Sequence, residues 1–322
     1  MNKKKKNKQN NIPIIGIDLL GGEHSSKYLL EDFIKFAKDT KLLANFICFI
    51  PRELENELFP SKNITFQIVD EIIYLDEKPS QVIRRKKKSS LFLGVDFLKS
   101  KKIDAFISLG NTGALVSLAK IKLKTKYKDL LPALLTYLPT KKNPIAVLDV
   151  GSNISVKAEN LLHLALTGVD FVKKKENIIP KVGLLNIGSE KIKGTKELQK
   201  AYDLLFNYAK LKKNFKFIGN VEGKDVFKGG IDILVTDGFS GNIFLKTAEG
   251  VASFILDLIN EKEKNIKKNL EKVEKYLHYH QFRGAILCGL NELIIKCHSY
   301  ARPQAIFNAI KNAIDILSQK KP

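Results

Sequence analysis

Tryptophan is absent from the 322 residues, methionine occurs once and cysteine three times. Cys48, Cys288 and Cys297 are too few for a disulfide framework, and their spacing suits no metal site. A reducing cytoplasm is the compartment they fit. No run approaches the roughly 18 apolar residues that span a bilayer, and Asp18 already interrupts the stretch from Ile12 to Leu20. The opening MNKKKKNKQNN is basic, but no apolar region or small-residue cleavage site follows it, which argues against a signal peptide. Acidic residues are scarce: 34 Asp and Glu face 55 Lys and Arg, a net charge of +21. Such a balance suits an anionic membrane face, an acidic partner or nucleic acid, or is simply a lysine-rich solvated surface. Without tryptophan, and with no aromatics among the basic runs, the stacking platform of a nucleic-acid groove is missing. Nucleic acid is therefore not an expected partner.

What is present is a hydrophobic content of 44%, enough for a sizeable core. Residues 1–12 read as a solvated basic tail and 13–322 as one catalytic α/β domain. Short apolar strands are expected at 14–19, 45–50, 64–69, 105–109, 133–137, 145–150, 181–186, 215–219 and 231–236. Helical spacing marks a segment from Ser25 or Ser26 to Thr40, then 91–99, 158–167, 197–211 and 247–258. Strands alternate with helices, and several strands are continuously apolar, as strands covered on both faces are. The pattern predicts an α/β fold on a mainly parallel sheet with flanking helices.

Four glycine-rich turns follow predicted strands: Asp18-Leu-Leu-Gly-Gly-Glu-His24, Ser108-Leu-Gly-Asn-Thr-Gly113, Leu148-Asp-Val-Gly-Ser-Asn153 and Thr236-Asp-Gly-Phe-Ser-Gly-Asn242. In open α/β sheets ligands bind where parallel strands end. Glycine lets a backbone approach a ligand closely, and a following helix offers free N–H groups to an anion. One such turn reads as an ordinary tight connection. Four together point to a phosphate or carboxylate site built from Gly21, Gly22, Gly110, Thr112, Gly113, Gly151, Asp237, Gly238, Ser240 and Gly241. None has the lysine that a P-loop places after its second glycine. The basic run from Arg84 to Ser90 precedes a helix that Ser89 or Ser90 would cap. Arg84 and Arg85 suit bidentate contact with phosphate, or form a solvated face.

These segments, with Val182-Gly-Leu-Leu-Asn-Ile-Gly-Ser-Glu190, Lys193-Gly194, Ile218-Gly-Asn-Val-Glu222 and Leu245-Lys-Thr-Ala-Glu-Gly250, resemble in order the acyl-carrier-protein:phosphate acyltransferase family. Departures exist. Glu23 stands where the family pattern has Asp, and Ser152 where it has Ala. Lys296-Cys-His-Ser-Tyr300 replaces a Lys-Gly-His-Gly-Ser-like turn.

The resemblance implies a fold similar to isocitrate and isopropylmalate dehydrogenases and to phosphotransacetylase. It also implies a homodimer, and a reaction in which a fatty acyl group leaves acyl carrier protein for inorganic phosphate. A membrane acyltransferase would then pass the acyl group to glycerol 3-phosphate. No cofactor or metal is implied. Phosphate is mostly a dianion at neutral pH, its second pKa being about 6, so it can attack a thioester once held near it. Asn111, Asn153 and Asn242 are the expected donors to the oxyanion. Arg85 or Lys193 would neutralise phosphate, and His24 would bind it, protonate the leaving thiolate, or serve only structure.

Cys48 and Cys288 lie among apolar residues and read as core. Cys297 and His298 are adjacent and so point apart on regular structure. An apolar stripe at Val251, Phe254, Ile255, Leu258 and Ile259 suits the core or a dimer interface. A second stripe at Ile266, Leu270, Val273 and Leu277 lies among lysines and suits an anionic membrane surface. Thus the segment 247–280 is a candidate dimer or membrane element, on a cytoplasmic protein with possible peripheral attachment. Lys86–Lys88 and Lys264–Lys275 are candidate contacts for the acidic carrier protein. Rival readings are a nicotinamide-dependent dehydrogenase, a nucleic-acid module and an acetyl-CoA phosphotransacetylase.

Overall fold

The structure is a computed structural model that describes residues 12–39, 42–59, 61–125, 130–262 and 284–319. The basic tail over residues 1–11, the second apolar stripe and the Lys264–Lys275 stretch lie outside the described residues.

Eleven strands form one sheet: β1 (Ile14–Asp18), β2 (Asn45–Pro51), β3 (Ile64–Val69), β4 (Ala105–Ser108), β5 (Ala133–Leu138), β6 (Ile145–Leu148), β7 (Lys181–Leu185), β8 (Lys216–Val221), β9 (Ile233–Val235), β10 (Ala285–Cys288) and β11 (Leu293–Lys296). Their spatial order is β3-β2-β1-β4-β11-β10-β5-β6-β9-β7-β8. The helices are α1 (Ser26–Asp39), α2 (Pro79–Arg85), α3 (Ser90–Lys99), α4 (Thr112–Lys122), α5 (Ala158–Glu176), α6 (Lys196–Lys212), the short α7 (Gly223–Val226), α8 (Gly238–Lys262) and α9 (Pro303–Gln319).

Strand chemistry explains the layers. β4 and β6 are buried at every position, and their side chains alternate between two apolar clusters. Ile107 and Leu148 point to one cluster, covered by α1, α5, α6 and α9. Phe106 and Val147 point to the other, covered by α3, α4 and the start of α8. Ser89 caps α3 by accepting the N–H of Phe92.

Pairing is parallel except around β5 and β10. β10 runs antiparallel to both β11 and β5, and β5 runs antiparallel to β6. The sheet therefore reverses polarity at its centre. Strands β1 to β4 and β11 end at one edge, whereas β6 to β9 end at the opposite edge. The four glycine turns therefore do not share one carboxyl edge: two sit on each. β10 and β11, which their sequence leaves hidden, provide the reversal and put the C-terminal segment in the middle of the sheet.

α8 begins nine residues earlier than its apolar spacing indicates, at Gly238. Its first turn is the fourth glycine motif itself. Asp237 makes this work by accepting the Ser240 N–H at 2.8 Å and the Ser240 hydroxyl at 2.9 Å.

Candidate active site

A cavity of about 380 Å³ opens where the two half-sheets meet, against β5 and the start of β10. One half contributes Glu23, Thr112 and the segment Lys296–Ala301. The other contributes Gly151, Asn242, Lys246 and Glu249. The two polarities thus converge on one space.

On the second half, Asp149 organises the floor. Its side chain is fully buried. One oxygen accepts N–H groups from Leu134, Gly151 and Ser152, and the other accepts the N–H and the side-chain amide of Asn153. Burial pushes this carboxyl above the ordinary carboxylate range, and the hydrogen bonds of Ser152, Asn153 and Gly151 oppose that push. The first turn of α8 lies directly on this loop. A Cβ on Gly241 would stand 1.9 Å from the Asp149 carbonyl oxygen, and one on Gly238 would stand 2.7 Å from that of Asn153. Only glycine permits such an approach. The result places Asn242 beside Gly151, exposed and facing the cavity.

On the first half, Asp18 is also fully buried. It accepts the Leu20 N–H at 3.2 Å and the Ser108 hydroxyl at 2.7 Å. Burial raises its affinity for a proton, with Ser108, Ser90, Leu20 and the charge of Lys296 pulling the other way. Lys296, the last residue of β11, is 8% exposed and lines the cavity. Its Nζ donates to the carbonyl oxygen of Leu109 at 3.2 Å and to that of Cys297. Desolvation lowers its pKa to about 8 against the pull of Cys297 and Asp18. The sequence analysis names Lys296 only as the start of the turn that departs from the family pattern and gives it no role in the site. The signal available was its place after three apolar residues, Leu293 to Ile295.

The other sequence-predicted residues divide. Thr112 opens α4 and lines the cavity. Asn111 caps that helix through its oxygen, and its amide nitrogen donates to the carbonyls of Tyr74, Leu75 and Glu77. Asn153 gives its amide hydrogens to Pro132 and Asp149. The amide hydrogens of both are thereby committed to the fold, which leaves Asn242 as the asparagine free to meet a substrate. His24 donates through Nε2 to the Tyr300 carbonyl at 3.2 Å, outside the cavity lining. Gly21 and Gly22 allow loops to touch, since a Cβ there would lie 2.3 Å from the Ile73 oxygen and 2.8 Å from the Ser299 oxygen. Gly113 packs on Pro79 and Gly110 on Leu91. Arg84 and Arg85 are exposed at the C-terminal end of α2, and Lys193 is exposed in the β7–α6 loop; none lines the cavity.

Two of the three departures from the family pattern, Glu23 and the turn Lys296–Tyr300, meet one another. Ser299 accepts the Glu23 N–H at 2.9 Å and donates its hydroxyl to the Glu23 carboxylate at 3.0 Å. At the same rim Lys246 donates to Glu249 at 3.0 Å and to the ring of His298, which packs against Tyr300. Among the described residues, no group of three or more His, Cys, Asp or Glu is placed to hold a metal.

Residues 14–322 match the family model described as "Fatty acid synthesis protein". Over 313 residues the chain is 41% identical to a protein named phosphate acyltransferase from Chlamydia caviae, covering 94% of each. It is 34% identical to one of the same name from Thermosipho africanus, covering 96% of this chain and 95% of that one. In solved structures the fold is similar to a phosphotransacetylase from Streptococcus pyogenes, with TM-score 0.61, 16% identity and coverage of 95% and 94%. It is also similar to a putative 4-hydroxythreonine-4-phosphate dehydrogenase from Salmonella typhimurium, with TM-score 0.52, 13% identity and coverage of 94% and 99%.

Proposed function

We propose a reaction from one premise: the chain belongs to the phosphate acyltransferase family. It transfers a fatty acyl group to inorganic phosphate in lipid synthesis, and the donor is acyl carrier protein. The observation that carries this is the convergence of Asn242, Thr112 and Lys246 on one cavity between opposed half-sheets.

In this reading phosphate lies against the start of α4, where Thr112 and the free N–H groups of the first turn favour an anion. Lys246 at the rim adds positive charge. The thioester carbonyl is held beside Asn242, whose amide donates to the oxyanion that forms as phosphate attacks. Because phosphate is already anionic, the protein supplies proximity rather than a strong base. Fixing two reactants in one space can supply about 7–11 kcal/mol of the barrier.

The net charge of +21 supports encounter with an acidic carrier protein. Of the Lys86–Lys88 patch, Lys86 pairs with Glu77 and Lys88 with Asp70, so Lys87 is the member available for such contact. α8 leaves Val251, Phe254 and Ile255 about half exposed or more, at 51%, 61% and 49%. An apolar stripe of this kind supports pairing with a second copy of the chain. No described helix is long and apolar enough to cross a membrane. Membrane attachment through the basic segment after α8 is tested by co-sedimentation with anionic liposomes at low salt.

The test of function is acyl phosphate formation by the purified chain from palmitoyl-ACP and phosphate, with palmitoyl-CoA in parallel. Product from ACP and little from CoA supports the reading. Product from CoA alone moves the donor to the coenzyme, and product from neither overturns it.

A further inference from the structure

We infer that Lys296 is the proton donor to the thiolate that leaves during acyl transfer, an assignment that rests on the reaction proposed above. Its position is the first reason. Lys296 ends the central strand β11, its side chain is almost wholly covered by protein, and its open side is the cavity shared with Thr112 and Asn242. An ammonium carries three hydrogens. Two go to the carbonyl oxygens of Leu109, just past the end of β4, and of Cys297, the next residue. Asp18 lies behind it, holding the Leu20 N–H and the Ser108 hydroxyl. Among the described residues the third hydrogen has no acceptor, and it is left for the cavity.

The reaction needs such a group. Hydrogen phosphate attacks the carbonyl carbon, a C–O bond forms and the C–S bond breaks, and the sulfur keeps the electron pair. The acyl phosphate then carries one proton too many and the thiolate one too few. Lys296 gives its proton to sulfur and regains one from the phosphoryl oxygen. The sum is thioester plus hydrogen phosphate giving acyl phosphate dianion plus thiol, with no other reactant. A donor works best when its affinity for the proton is near that of the acceptor. A pKa near 8 for Lys296 meets this, since a thiol lies at about 8.5. Asp18 and Cys297 raise that value and Lys246 lowers it. Cys297 cannot substitute, because burial pushes its thiol up to about 12.

The experiment gives the full chain two donors with the same acyl group, an alkyl thioester and an aryl thioester whose far more acidic thiol leaves without a proton. Lys296→Met is expected to lose about 100-fold or more in kcat on the alkyl donor and little on the aryl one. Lys296→Arg, which keeps the charge but does not release a proton at these pH values, is expected to follow the same split with an unchanged KM for phosphate. Equal losses on both donors, or a raised phosphate KM at unchanged kcat, overturn the assignment and leave the acyl-transfer reading intact. If neither variant folds by circular dichroism, the wild-type chain decides through a series of thioesters of graded thiol acidity. A shallow dependence of kcat on leaving-thiol pKa supports the donor, and a steep one overturns it. A wild-type chain inactive on every donor overturns the reaction and this role with it.

Discussion

Asp18 ends β1 and Asp149 directly follows β6, strands of opposite polarity, and both are fully buried, yet they are satisfied in different ways. Asp149 collects the backbone N–H groups of its own turn and of Leu134, with the Asn153 amide beside them. Its work is complete within the loop it shapes. Asp18 takes one local N–H and relies on the Ser108 hydroxyl from the next strand, with Lys296 close enough to feel its charge. The first carboxylate builds a platform on which Asn242 stands. The second is linked to a residue that faces the cavity. Two residues of the same type in corresponding places are thus satisfied in different ways, one within its own loop and the other through a neighbouring strand.

The sharpest break would come from Asp149→Ala. Several N–H groups would lose their acceptor in a buried turn, and about 4 kcal/mol or more of stability should go, read by thermal or urea unfolding. Asp18→Ala should cost less. Equal costs would erase the distinction. Next in size is Asn242→Ala, expected to lower kcat about 100-fold at unchanged melting temperature because Asn242 is exposed. Asn153→Ala should do the reverse, losing about 1–3 kcal/mol of stability through the Asp149 loop.

A smaller effect separates Asp18 from Asp149 by pH. Lys296 must be protonated to act, so kcat should fall as pH rises through about 8. The Asp18 charge holds that value up, hence Asp18→Asn should move the alkaline limb to lower pH. The same shift should appear in the NMR titration of the Lys296 side chain with no substrate present. The smallest change is Ser299→Ala, which removes an exposed hydrogen bond to Glu23 and should alter stability by about 0.5 kcal/mol or less.

Much of this was legible in the residues. Alternation of short apolar strands with amphipathic helices announces the α/β sheet, because burial on both faces leaves no polar positions along a strand. The glycine turns were visible as well, and five of their residues, Glu23, Thr112, Val150, Gly151 and Asn242, do reach the cavity. The asparagines were not separable by sequence. Asn111 and Asn153 find acceptors on Tyr74, Glu77 and Pro132, residues more than 20 positions away, and only the fold brings those carbonyls near. The polarity reversal was hidden for a related reason. β10 and β11 are four residues each, and an apolar run of that length carries no mark of its partner or direction. Lys296 stands on β11 between β10 and β4, where it is buried.

The late position of β10 and β11 in the chain has a consequence for synthesis. Until residues 285–296 leave the ribosome, β4 and β5 each present an open edge, and the two half-sheets have no strand to join them. Unpaired edges of apolar strands invite association with other chains. A nascent chain halted before β10 should therefore be the aggregation-prone form, and ribosome-bound lengths on either side of residue 296 would mark where protection from proteolysis begins.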